Sequence, residues 1–91
     1  MSNIQGMDVD QVTSIAHQLH NQAEQIQTVI NTINGLVNQL PGVWHGKDAT
    51  EFEGWWNNQH RPALQNAAAA IDGLHQSALN NVSQQQQASG S

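Results

Sequence analysis

The 91-residue chain has no cysteine and no tyrosine, and its only Lys and Arg residues are Lys47 and Arg61. Without cysteine, no disulfide bond can stabilise the fold. The formal net charge is −5, whereas proteins bind nucleic-acid phosphates and anionic membrane surfaces through clusters of Lys and Arg. The composition therefore argues against a nucleic acid and against a membrane surface as partners.

Long apolar runs are also missing from the chain. None approaches the ~20 residues that cross a bilayer, so we expect no stable membrane insertion. The first ten residues lack the basic start and the apolar stretch of a signal peptide. We therefore expect a protein that is cytoplasmic before export and that, if exported, is secreted without a cleavable signal peptide.

Apolar residues instead recur with heptad spacing through the first half of the chain. Asp8 and Gln11 have the spacing of a helix-capping box, and Pro41 ends the pattern because the residue before a proline avoids helical geometry. The sequence therefore predicts a helix over about residues 8–40. Its apolar stripe comprises a row of Val12, Leu19, Ile26, Ile33 and Leu40, a row of Ala16, Ala23, Ile30 and Val37, and the flanking Ile15, Val29 and Leu36.

A second helix is predicted over about residues 48–82, after a connection at residues 41–47. Asp48 and Glu51 have the spacing of a second cap, and aromatic residues follow at helical spacing. Pro62 lacks an N–H and crowds the carbonyl four residues before it, so we expect a continuous helix that is kinked there. Residues 83–91, with four consecutive glutamines and no apolar periodicity, are expected to form a flexible tail.

Two helices with a short connection pack as antiparallel neighbours, so the predicted fold class is an all-α helix-turn-helix hairpin within residues 1–82. The first stripe is wider than one partner helix covers, and we predict that the hairpin dimerises into a four-helix bundle. Trp55 and Trp56 point about 100° apart, so we expect one inside the hairpin and the other between subunits. The residues assigned to the hairpin or dimer interface are Val12, Ile15, Leu19, Ile26, Ile30, Ile33, Val37, Leu40, Phe52, Trp55, Trp56, Ile71 and Leu74.

Trp44 and Gly46 lie one residue apart in the predicted connection. With the chain length, the two helices and the lack of cysteine, this turn resembles the small WXG-motif, early-secretory-antigen-like (Esx-like) proteins of type VII secretion systems. The resemblance covers nearly the whole chain. It implies a hairpin that dimerises with itself or with a paralogous hairpin and is exported folded by an ATP-driven machinery. We interpret Trp44 and Gly46 both as a structural turn and as a recognition motif for that machinery.

The chain departs from the family's export signal, which is a Tyr followed four residues later by an acidic residue. It has no Tyr, and no acidic residue follows Asp72, so the signal is assigned to no residue here. Two interpretations stay open: a partner supplies the signal, or the chain uses a variant one.

No catalytic signature stands out among the polar residues. The paired acids lie at a predicted helix start, where negative charges interact favourably with the helix dipole. No glycine-rich phosphate loop is present. We predict that the protein is not an enzyme and needs no cofactor. His17 and His20 can share a helix face, and an antiparallel hairpin could bring His75 near them, which would suit zinc. Because the spacing lacks a compact zinc signature, we interpret the histidines as facing solvent and predict no metal site.

The leading hypothesis is a substrate or structural partner of a type VII secretion system. It acts by protein–protein interaction as a dimeric hairpin and contacts the secretion ATPase or machinery. The alternative is a chaperone-like partner subunit that covers a signal-bearing paralogue or a larger toxin, which the missing Tyr favours. A membrane-active effector is disfavoured by the shortage of Lys and Arg.

Overall fold

The computed structural model describes residues 6–90, with side chains as far as residue 88, and this part of the chain is helical without a β-strand. Two long arms lie side by side in a molecule of 66 × 16 × 15 Å. They run antiparallel, because His20 contacts Asp72 near one end while Asn34 contacts Trp56 nearer the other. The predicted all-α hairpin is confirmed. Residues 1–5 and 91, assigned above to the hairpin and the tail, lie outside the described residues.

The first arm is helix α1, Val9–Gln39. It begins at the predicted cap, where the Asp8 carboxylate accepts the backbone N–H of Gln11 at 3.1 Å. It ends in a single 3₁₀ turn, Leu40–Gly42. The Leu40 carbonyl accepts the N–H groups of Val43 and Trp44, which satisfies part of the exposed helix end.

Helix α2, Lys47–Trp55, begins one residue earlier than predicted, and its cap is Gly46 instead of Asp48. Gly46 has φ +109° and ψ −174°, a conformation that side chains disfavour and glycine adopts readily. The chain enters the helix through this glycine, so Asp48 lies within the first turn. Its negative charge in the first turn stabilises the helix by interacting with the helix dipole, but its side chain does not cap the helix. The Gly46 carbonyl accepts both the N–H and the hydroxyl of Thr50.

The second arm continues without a break through a π-helical turn, Trp56–His60, into helix α3, Arg61–Gly90. The Arg61 N–H donates to the Trp56 carbonyl five residues back. The next residue, Pro62, has no N–H to donate, and its ring crowds the carbonyl of Asn58 in a regular helix. Widening the helix just before the proline relieves this conflict. The predicted irregularity near Pro62 therefore takes the form of a wide turn.

Residues 83–90 continue α3, although the sequence led us to expect a flexible tail there. Glutamine is a good helix former, and a helix that has already begun gains one hydrogen bond for each further residue. Val82 is buried and Gln85 is half-buried at this end of the arm. The lack of apolar periodicity in the glutamine run therefore does not end the helix.

The core between the arms follows a seven-residue repeat. The buried side chains of α1 are Val9, Ala16, Ala23, Ile30 and Val37. One hydrophobic cluster joins Ile30 and Val37 to Trp56, with Ile26, Ile33 and Leu64 packed against it. Toward the other end, the two alanines of α1 allow a close approach of α3. One hairpin thus buries a narrow core and leaves much apolar surface outside it.

Candidate interaction surface and histidine cluster

The turn end of the hairpin is built around Trp44. Its ring packs on that of Phe52, with centroids 5.6 Å apart and planes tilted by 57°, a favourable aromatic geometry. Trp44 still has 39 % of its surface exposed. Gly46 sets the direction of the chain between the two aromatic residues. The predicted motif therefore fixes the turn and presents an indole to solvent at the same time.

Asn34 joins the two arms just below this turn. Its side-chain oxygen accepts the indole N–H of Trp56 and an Arg61 guanidinium N–H, each at 3.1 Å. Trp56 is only 6 % exposed, so its N–H needs a partner within the protein. The π-helical turn makes the double contact possible, since it places residues five apart one above the other. Sequence reasoning missed Asn34 because a lone polar residue beside an apolar stripe does not reveal its partner.

An apolar groove opens beside the same cluster. It has a volume of about 160 Å³ and is lined by Ile33, Val37, Phe52, Trp55, Trp56 and His60. Trp55 is 52 % exposed at its edge, whereas the adjacent Trp56 closes its floor. The groove thus provides aromatic surface that the hairpin itself does not cover.

Apolar side chains also follow one flank of α1 away from the groove. Ile15, Val29 and Leu36 are 55 %, 51 % and 57 % exposed. They lie on the same side of α1 as the half-buried row of Leu19, Ile26 and Ile33. From Ile15 to Leu36 this flank is about 31 Å long at ~1.5 Å per residue. We call these six residues the α1 flank.

The predicted interface residues fall into three classes of exposure. Buried within the hairpin are Ile30, Val37 and Trp56. Half-buried at its edges are Val12, Leu19, Ile26, Ile33, Leu40 and Ile71. Exposed are Ile15, Phe52, Trp55 and Leu74. The last two classes form surface that a further chain can cover.

Three histidines lie close together across the two arms. The expectation that they face solvent is wrong for His75, which is 8 % exposed. The Nδ1 atoms of His20 and His75 lie 2.9 Å and 3.3 Å from the same Asp72 Oδ1 atom. The ring centroids of His20 and His75 are 4.8 Å apart, and that of His17 is 6.3 Å from His75. The Nε2 atom of His20 lies 3.6 Å from a Glu24 carboxylate oxygen.

These contacts shift two pKa values. The hydrogen bond to Asp72 raises the pKa of His20 above its ordinary value of 6.5, with the charge of Glu24 adding to the effect. The hydrogen bonds from His20 and then His75 lower the pKa of Asp72 below 3.8. Asp72 was not singled out in the sequence for this role. The signal was present, because His75 occupies the same seven-residue row as the buried Ala68 and Val82, and Asp72 precedes it by one helical turn.

Fold and surface together define a class of protein, the elongated helical hairpin with a Trp-x-Gly turn and an uncovered apolar flank. A family model described as "WXG100: Proteins of 100 residues with WXG" matches residues 6–89, and the chain belongs to this WXG-motif, Esx-like family of type VII secretion substrates. No curated protein and no solved structure matches the chain. Members of the family are small helical proteins secreted without a signal peptide. Among the described residues, no helix has the length and apolarity needed to cross a membrane.

Proposed function

We propose that the protein acts as a dimer of hairpins, as a substrate or structural partner of a type VII secretion system. Its mechanism is protein–protein contact, and it performs no chemistry. The observation that carries the proposal is the α1 flank, three of whose side chains are more than half exposed along about 31 Å of helix. Continuous apolar surface of this kind on a small protein marks an interaction site.

A second copy of the chain is the occupant that we propose for the flank. Two copies related by a two-fold axis place the same flank on both sides of the interface, and four antiparallel helices enclose a common core. Exposed polar positions of α1 carry mostly uncharged Asn, Gln and Thr side chains, so two copies can approach without strong repulsion. The groove adjoins this interface through Ile33, so Phe52 and Trp55 become part of it.

The oligomeric state tests this step. We expect light scattering to give the mass of a dimer, with a helical circular dichroism spectrum from the same sample. The double variant Val29→Gln/Leu36→Gln changes only side chains that are exposed in one hairpin, so we expect it to stay helical and become monomeric. The matched control Thr28→Gln/Asn31→Gln changes the other flank of α1 and should remain dimeric. A wild-type chain that is monomeric at all accessible concentrations would contradict the homodimer.

A paralogous hairpin is the alternative occupant, because the chain lacks the Tyr of the family's export signal. In that case the purified chain is a poorly helical monomer or a soluble aggregate. It becomes helical, and forms a complex of 1:1 stoichiometry, only when it is mixed with a hairpin protein that carries the signal. The protein then acts as a chaperone-like partner subunit for such a paralogue or for a larger toxin.

The exposed indole of Trp44 is the surface that we propose for recognition by the secretion ATPase or its associated machinery. Trp44→Ala removes this indole but leaves Gly46 and the buried core in place, so we expect the dimer to form and secretion to fall. His45→Ala, next to it in the turn, is the matched control and should be secreted normally. Normal secretion of the Trp44→Ala protein would show that the turn has a structural role alone.

A further inference from the structure

We propose that His20, Asp72 and His75 form a binding site for a zinc-class divalent metal ion, which links α1 to α3. Their ligand atoms all lie within 4.8 Å of one another. Two of the ligands are one helical turn apart on α3, and the third comes from α1, 52 positions away from Asp72. The site is separate from the Trp-x-Gly turn and from the α1 flank, and it does not depend on the function proposed above.

The distances from the two imidazoles to Asp72 are compatible with zinc coordination. Zinc binds imidazole nitrogen and carboxylate oxygen at about 2.0–2.2 Å in a tetrahedral arrangement, which places neighbouring ligand atoms about 3.3 Å apart. The two Nδ1 atoms lie 2.9 Å and 3.3 Å from Asp72 Oδ1. These two separations are close to that spacing, and all three ligand atoms lie within 4.8 Å of one another, so rotations of the three side chains can close the set around an ion, which replaces the hydrogens that these contacts now share.

The surroundings of the two imidazoles support the same assignment. The ring of His75 is buried between the arms and is held on one side by the ring of His20. The far nitrogen of His20 faces Glu24 at 3.6 Å. Metal-bound histidines commonly donate their other N–H to a carboxylate, which fixes the ring orientation. Glu24 is in place to do this if it moves slightly closer.

The donor set also predicts which ions bind. Two nitrogens and one carboxylate oxygen suit zinc, cobalt, nickel and copper, whereas magnesium and calcium prefer oxygen ligands throughout. Three protein ligands leave a fourth position for water. Because the ion would bridge residues from both arms, binding favours the closed hairpin over the unfolded chain and raises the melting temperature.

Calorimetric titration of the untagged full-length protein with zinc chloride at neutral pH tests the proposal. We expect one zinc ion per chain, a higher melting temperature with zinc, and a return to the original value with a chelator. His20→Gln and Asp72→Asn are the primary variants, because both side chains are half exposed and tolerate replacement better than buried His75. We expect each to weaken zinc binding at least tenfold while the chelated protein stays helical.

His45→Gln is the matched control, since it also removes one imidazole from the chain but lies in the turn, away from the cluster. It should bind zinc as the wild type does. Equal loss of binding in the control and in His20→Gln would indicate scattered surface binding and overturn the proposal. So would unchanged affinity in both primary variants, or no zinc binding by the wild type.

Discussion

Replacing Asn34 with alanine is expected to destabilise the hairpin by about 1–3 kcal/mol more than the exposed control substitution Asn38→Ala. The Trp56 N–H is buried, and a buried donor without an acceptor costs roughly 1–3 kcal/mol. Arg61 is half exposed, so water can replace its lost hydrogen bond, and we assign it no more than about 1 kcal/mol. The loss of the acceptor at Trp56 therefore dominates the change.

The difference between two variants isolates this effect. Alanine is a better helix former than asparagine by up to ~0.7 kcal/mol, and this gain partly offsets the loss at residue 34. Asn38→Ala carries the same gain at an exposed position of α1 one turn later, so subtracting the two results cancels it. Urea unfolding followed by circular dichroism gives both free energies, and it is done at one fixed protein concentration because the proposed dimer would add stability that depends on concentration.

The reasoning fails if Asn34→Ala and Asn38→Ala have the same free energy of unfolding within about 0.5 kcal/mol. Asn34→Asp provides the complementary check. It keeps the oxygen that accepts from Trp56 and strengthens the contact with the Arg61 guanidinium, so we expect it to retain most of the wild-type stability.

Further predictions concern the turn, the second arm and the histidine cluster. Gly46→Ala should destabilise the fold by ~1–3 kcal/mol because Gly46 has φ +109°. Gly73→Ala in α3, where an added Cβ meets open space, should instead stabilise it by ~0.5–1 kcal/mol. Melting temperatures equal to that of the wild type for both variants would contradict both predictions. In metal-free protein, the raised pKa of His20 and the lowered pKa of Asp72 make their pairing strongest between about pH 4 and 6.5. The stability that His20 contributes should decline as the pH rises above 6.5, and the stability that Asp72 contributes should decline as the pH falls below 3.8. In Asp72→Asn, the melting temperature should therefore depend less on pH than in the wild type. The same pH dependence in both proteins would count against the pairing. Val82→Ala should cost about 1 kcal/mol or more, since Val82 is buried in the helical end of α3; Asn80→Ala is its exposed control, and equal effects would mean that this end does not pack.

The sequence predicted the features that depend on spacing within one helix. The seven-residue rows of α1 identified Ala16, Ala23, Ile30 and Val37 as a common face, and they are buried together. The stripe was predicted to be wider than one partner helix covers, without saying which row would be left over, and the row of Ile15, Val29 and Leu36 is exposed. The helix-forming pattern, the Asp8 cap and the stop at Pro41 were likewise local, and local chemistry decides them.

Features that depend on the register between the two arms could not be predicted from the sequence. Pro62 shows that one hydrogen bond is lost, but it does not show that the helix adapts by a π-helical turn. The contact of Asn34 with Trp56 depends on that turn. The meeting of His20 with His75 depends on how far one arm slides along the other, and single-helix periodicity does not give this distance.

The π-helical turn also accommodates one extra residue in the second arm. Trp56, its first residue, is buried against α1, and Ala68, His75 and Val82 are buried after the turn. Trp56 and Ala68 are 12 positions apart, which a regular helix would place about 120° from one another. Removing one residue from the turn would leave 11 positions between them, which a regular helix brings back to the same face within about 20°. The wide turn therefore stores one surplus residue, and by doing so it keeps the aromatic end and the histidine end of the second arm on the face that packs against α1.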